Sequence, residues 1–435
     1  MTRSILLVII VILAGTTRSL IASEHTIHRF QKIQLSNHFW SEGAACGDFN
    51  NDGQPDVASG PYWWEGPEFA RRHTVYPDHA SFKRERPDGS IQIIPGFAGA
   101  LSQTNAYSDN FLAYGHDING DGWDDILVLG FPGKESFWYE NPRGQERHWT
   151  RHVALAVTDN ESPHFTDLDG DGQPEIVCNS GGYFGFAAPD ATHPTQPWRF
   201  RPVTPKGSWQ RFTHGLGVGD VNGDGRQDLL ERNGWWEQPP SLAGDPVWAF
   251  HPFPFAPGGS AQMFAYDVDG DGDQDVITCL AAHGYGLAWY EHQKEGNEIT
   301  FKAHVFVNQK ASENPYGVHF SQPHAMNLAD MNGDGTMDII TGKRFWAHGP
   351  TGDVEPNAPA VLYWFQIDRS TGTVDLIPHL VDDDSGIGTQ VMARDLNADG
   401  YPEIIVGNKK GTFVHWNRVQ QATREEWEAA RPQPR

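Results

Sequence analysis

A nine-residue acidic loop recurs seven times along this 435-residue chain, and no other feature restricts its fold so strongly. The copies run from Asp48 to Asp56, Asp117 to Asp125, Asp167 to Glu175, Asp220 to Asp228, Asp267 to Asp275, Asp330 to Asp338 and Asp395 to Glu403. Each has Asp first, Asn or Asp third, Asp fifth, Gly sixth and a carboxylate ninth. Asp, Asn and Gly are ordinary turn residues, but chance agreement at five positions in seven loops is negligible.

The spacing is that of a calcium loop. A hard cation takes six to eight oxygens, and side chains at alternate positions of one tight loop can converge on it. The sixth residue must turn sharply with φ > 0, which Gly does freely. The expected ligands are Asp48, Asn50, Asp52 and Asp56; Asp117, Asn119, Asp121 and Asp125; Asp167, Asp169, Asp171 and Glu175; and Asp220, Asn222, Asp224 and Asp228. The remaining three loops supply Asp267, Asp269, Asp271 and Asp275; Asp330, Asn332, Asp334 and Asp338; and Asp395, Asn397, Asp399 and Glu403. An EF-hand closes at position twelve on a helix. Here the ninth residue leads straight into strand-like runs such as Ile126-Leu127 and Ile404-Ile405. These positions hold 23 carboxylates, so up to seven Ca2+ account for most of the formal charge of −24. That charge argues against nucleic acid as a partner, because phosphate binding wants a basic face.

Loop starts lie 69, 50, 53, 47, 63 and 65 residues apart, which suits one four-stranded sheet per repeat. Within a repeat an apolar strand enters the loop and a second leaves it. An aromatic third follows (Tyr62-Trp63-Trp64-Glu65, Phe137-Trp138-Tyr139-Glu140), then a fourth such as Thr150-Arg151-His152-Val153. After the last loop only two strands remain, while a fourth-type strand, His28 to Ile33, stands alone before the first loop. The expected fold is therefore all-β: a seven-bladed β-propeller closed by the N-terminal strand, with a calcium loop between strands one and two of each blade.

The repeats resemble the FG-GAP/VCBS repeats of integrin-type propellers over about residues 28–418. That resemblance implies the fold and the calcium, and leaves activity open.

The ends complete the organisation. Arg3, the apolar run Ile5 to Ala14 and small residues near Ala22 read as a signal peptide over 1–23, so the mature protein is expected to be secreted or periplasmic. The propeller is expected over 24–418, followed by a polar, partly helical tail over 419–435. No run elsewhere is long and apolar enough for a membrane span. Cys46, Cys178 and Cys279 are too few for a disulfide framework and read as buried small hydrophobes. The 16 Trp mostly recur at equivalent third-strand positions and read as packing residues.

A working site is expected on the face opposite the calcium loops. Five or six residues before each loop the innermost strand begins, about 20 Å from the ion at 3.3 Å per residue. Reading round the ring gives Glu42, Leu112, Glu161, His214, Gln262, His324 and Gln390. Loops between strands two and three add Lys134, Tyr183, His283, Lys343 and Arg344, and long insertions at 77–110, 308–322 and 343–359 lie on the same face. Glu42, Glu161, His214, His283, His324 and Lys343 are the catalytic candidates. Their His and Glu groups could hold one transition metal or act as acid and base.

Two functions stay open. One is a scaffold that binds a glycan or an extracellular protein on this face. The other is a carbohydrate lyase or dehydratase working at the His/Glu mouth. The second draws on a weaker resemblance to the propeller part of aldos-2-ulose dehydratases, carried by Gln322-Pro323-His324-Ala325-Met326-Asn327-Leu328-Ala329-Asp330 and by Trp-Tyr-Glu-Asn-Pro at 138–142.

Overall fold

The structure, a computed structural model, describes residues 25–79, 81–97, 106–296 and 298–435. The expected signal peptide lies outside them. The fold is all-β: among the described residues the helical elements are one turn at Ala311–Glu313 and the helix Arg424–Ala430. No helix there is long and apolar enough to cross a membrane.

The strands form antiparallel four-stranded meanders. Ala45–Gly47, Asp56–Ser59, Tyr62–Trp64 and Arg72–Thr74 make one sheet, and Met326–Ala329, Asp338–Gly342, Leu362–Asp368 and Asp375–Asp382 make another. A seven-stranded sheet contains two such meanders that share the 17-residue strand Thr150–Thr166. An eight-stranded sheet contains two more, joined where Leu216–Gly219 runs parallel to Gln262–Tyr266. In the last sheet His25–Ser36 pairs antiparallel with Gly411–Ala422, so the first strand of the chain completes a sheet made from its end. That pairing carries the final strand to Ala422, well past Trp416, because His25↔Ala422 through Gln31↔Trp416 supply partners for its backbone.

Alternation decides which faces pack. Val57 and Trp64 of the first meander meet Leu396, Ile405, Val414 and Trp416 of the last. Ala45, Ala58 and Trp63, from the opposite face of the same strands, meet Ile126, Val128 and Phe137 of the second. Similar clusters join each later meander to the next. The inner strands of each meander are thus buried on both faces, and each fully buried Val or Leu contributes about 1.5–3 kcal/mol. The three cysteines are free and buried among these residues.

A second repeat stiffens the outer strands. Trp63, Trp235, Trp289 and Trp364 stack on His73, His251, His304 and His379 with centroids 4.1–4.2 Å apart. The Nε2 of His73, His152, His251 and His304 meets Glu65, Glu140, Glu237 and Glu291 at 2.6–2.9 Å. These histidines work in the blade packing, with their ring faces on Trp and their edges on carboxylates.

Candidate functional site

Each acidic loop is built around its first carboxylate. The sixth-position amide donates to it in all seven copies, at 2.8 Å in Gly53→Asp48 and 3.2 Å in Gly272→Asp267. Those seven glycines have φ between 85° and 99°, a region where a Cβ is strained. The fifth-position amide donates to the third-position Asn at 3.0 Å in Asp52→Asn50, which folds the side chains at positions one, three and five toward one point.

The ninth carboxylate does more than close a cage. Asp56 accepts the amides of Phe49 (2.9 Å) and Gly66 (2.8 Å), and Asp125, Asp228, Asp275 and Asp338 repeat the arrangement. It therefore ties the loop to the end of the third strand. Burial raises these carboxyls, Asp56 to about 7 and Asp125 to about 8.

The residues fit a divalent cation. In the third loop Asp167, Asp169, Asp171 and Glu175 bring carboxylate oxygens within 4.8 Å of one another, and buried oxygens of Asp169 and Glu175 have no hydrogen-bond partner. Asp267, Asp269 and Asp271 converge in the same way. A hard cation placed among these carboxylates would offset their mutual repulsion.

At the entry ends of the first strands the geometry differs. Gln390 accepts from the amides of Ala44 (3.2 Å) and Ala113 (3.0 Å) and donates to Ala113 O (2.9 Å). Gln262 donates to Thr389 O (3.1 Å) and accepts from Met326 N (3.0 Å). These two side chains lace five first strands together, so they are structural bridges.

Beside them four of the six catalytic candidates meet. Glu161, His214, His283 and His324 present ligand atoms within 4.8 Å of one another. Glu161 Oε2 lies 3.2 Å from His324 Nε2 and 3.6 Å from His214 Nε2, and His214 Nε2 lies 3.0 Å from His283 Nε2. His214 Nδ1 donates to Phe212 O at 2.9 Å, which leaves the Nε2 lone pair facing the cluster. His324 is fully buried, yet neither ring nitrogen is aligned with a hydrogen-bond partner. An unsatisfied buried group of this kind costs about 1–3 kcal/mol, a cost that an ion or a tightly held ligand in the cluster would offset. His283 is the most open of the four, with 28% of its side chain exposed.

Burial lowers the pKa of all three imidazoles. His324 falls well below its ordinary value, with Arg344 and His214 adding repulsion. His283 falls through burial and the neighbouring His324 and His214, and His214 falls through burial against the attraction of Glu161. Neutral imidazole is the metal-binding form. Three imidazoles and one carboxylate at this spacing match a transition-metal donor set.

Glu42 and Lys343 stand apart from the cluster. Glu42 is clamped between Arg344 (3.1 Å) and Lys409 (3.3 Å), all three about 1% exposed, and reaches the cluster only through Arg344, 3.9 Å from Glu161. Lys343 turns away to donate to Ser321 Oγ at 2.6 Å. Lys134 pairs with Asp109, and the Tyr183 ring lies under Lys206. Lys409, His348 and Asp353 were not legible as neighbours of the site, although His348 and Asp353 fall in the long insertion at 343–359.

The FG-GAP-like repeat family model matches residues 117–178 and 267–341, which include four of the seven loops. No curated protein matches the sequence. Among solved structures, the chain is similar to the Tc holotoxin pore of Photorhabdus luminescens (18% identity, TM-score 0.36, 77% of this chain) and spans only 16% of that chain. It is also similar to an Agrocybe aegerita lectin that recognises terminal N-acetylglucosamine (15% identity, TM-score 0.32, 93% of this chain and 84% of that one). The biofilm matrix protein Bap1 of V. cholerae is 10% identical (TM-score 0.36, 90% of this chain and 84% of that one). Over residues 117–178 and 267–341 the chain carries FG-GAP-like repeats, and the same acidic loop recurs three more times outside them.

Proposed function

We propose that the chain is an exported seven-bladed propeller, stiffened by calcium in its seven loops and closed by its N-terminal strand. At the mouth opposite those loops, a transition metal held by Glu161, His214, His283 and His324 binds and activates a carbohydrate-class ligand. Seven loops, their four-stranded meanders and the pairing of His25–Ser36 with Gly411–Ala422 support the architecture.

The single observation that carries the site is the convergence of four ligand atoms from distant parts of the chain, around a fully buried His324 that lacks hydrogen-bond partners. A bound ion would supply Lewis-acid polarisation of a carbonyl or hydroxyl oxygen. The buried guanidinium of Arg344 beside Glu161 would favour negative charge developing on such an oxygen. That chemistry suits a lyase or dehydratase better than a passive adhesion surface, which needs no buried imidazoles.

Elemental analysis of unchelated protein tests the reading. Calcium near seven per chain with about one transition metal is expected, together with loss of the transition metal alone in His214→Ala/His324→Ala. Calcium without a second metal, in protein that still captures glycans unchanged after that double substitution, would leave the binding-scaffold function in its place.

A further inference from the structure

The insertion at 343–359 is pinned down in front of the histidine cluster. Val354 O accepts from Ser321 Oγ (2.9 Å) and Gln322 Nε2 (3.1 Å), and Ala347 O accepts from Tyr107 Oη (2.7 Å). Trp346 Nε1 donates to Asn357 Oδ1 at 2.9 Å. Within this frame the His348 amide donates to Asp353 Oδ2 at 2.8 Å, which fixes the carboxylate plane. Asp353 is only 5% exposed, and its other oxygen, Oδ1, lies between two imidazoles. His348 Nδ1 is 2.8 Å away and His283 Nδ1 is 3.6 Å away.

The two nitrogens of His283 therefore face different partners. Nε2 faces His214 at 3.0 Å, inside the cluster, while Nδ1 is buried without a hydrogen-bond partner, 3.6 Å from the Asp353 carboxylate. A carboxylate on the far nitrogen of a ligating histidine fixes the tautomer and raises the basicity of the near one. His214 receives a backbone carbonyl in the same role, from Phe212. His324 receives none.

We infer that Asp353 is a positioning residue for this centre: it holds His283 as the Nδ1–H tautomer and so aims the Nε2 lone pair at the ion. His348 competes for the same oxygen and is not itself required. This rests on the metal reading proposed above, and it assigns to the insertion a part in building the site.

The test uses the whole protein with Co2+ as probe, its visible spectrum reporting the donor set. Asp353→Ala is expected to weaken cobalt binding about 10- to 100-fold, the usual effect of losing such a partner. Asp353→Asn keeps an oxygen acceptor and should recover most of the affinity. His348→Ala should leave affinity unchanged or tighter, because Oδ1 is then free for His283. Equal loss in Asp353→Ala and His348→Ala would overturn the inference, since the loop would then act only as a brace. Unchanged affinity in a folded Asp353→Ala would overturn it too.

The His283 tautomer, read by long-range 1H–15N correlation on metal-free protein carrying His214→Ala, where no second imidazole lone pair faces Nε2, separates the two ideas. Wild-type protein that takes up no cobalt sinks the metal reading. A His283 tautomer that shifts in Asp353→Ala upholds the positioning role in either case, and an unshifted one refutes it.

Discussion

At the level of single residues, neighbours decide what each ionisable group does. His214, His283 and His324 are driven neutral by burial and by one another. Replacing His214 and His324 with Ala is expected to abolish transition-metal uptake while leaving the melting temperature nearly unchanged. Calorimetry with elemental analysis checks this, because these rings lie outside the apolar clusters that join the sheets. Lys409 shows the opposite economy of charge. Burial pulls its pKa from the ordinary 10.5 to about 8, against the attraction of Glu42. The unfolded chain then binds more protons between those two values, so this residue's contribution to stability rises as pH climbs from about 8 toward 10.5. The melting advantage or deficit of Lys409→Met relative to wild type should accordingly shift against the variant across that window, as followed by thermal scans at successive pH values.

Among the elements, the outer strands carry a motif with one defective copy. Glu65, Glu140, Glu237 and Glu291 each stand two residues after a Trp and bond the facing His, but the same position after Trp364 is Gln366. His379 there still stacks on Trp364 at 4.1 Å, yet its Nε2 is buried without a partner and burial lowers its pKa to about 3. Gln366→Glu should raise the His379 pKa and stabilise the protein by about 1 kcal/mol, the net worth of one hydrogen bond. Histidine titration by NMR and a denaturant midpoint would show both changes. The Trp-x-Glu and His pattern was visible in the strands, but the stack that makes it cohere depends on cross-strand register such as Trp235↔His251.

For the whole molecule, the proposed ions in the acidic loops and the closing strand pair are expected to add to the stability that the apolar clusters supply. Ions that bind only the folded state stabilise it by about 4 kcal/mol per site at a thousandfold excess over Kd. Chelation should therefore lower the melting temperature steeply, and an unchanged melt in excess EGTA would refute calcium in these loops. The second feature is the pairing of His25–Ser36 with Gly411–Ala422, in which eleven residue pairs cover an otherwise open edge. Removing residues 25–36 should lower the melting temperature by more than 10 °C, or abolish cooperative unfolding, as read by circular dichroism. A truncated chain that melts like the full one would show that the last sheet stands without its N-terminal strand.

The sequence by itself determined whatever is local and repeated. Ligand spacing in the acidic loops, Gly at the φ > 0 position and the strands that enter and leave each loop are fixed by contacts only a few residues apart, so they can be read directly. It also pointed to Glu161, His214 and His324, because strand starts recur at a constant offset from the loops, and to His283, from the loops between strands two and three. What only the tertiary structure decided is which of the polar residues at those starts meet. Glu161 and His324 are 163 positions apart and lie 3.2 Å from each other, while Glu42 is drawn aside by Arg344 and Lys409 and Lys343 by Ser321. Asp353 reaches His283 from an insertion with no repeat to index it. Such partnerships depend on how far each strand tilts and where each long loop comes to rest, and these are properties of the packed sheets rather than of any window of sequence.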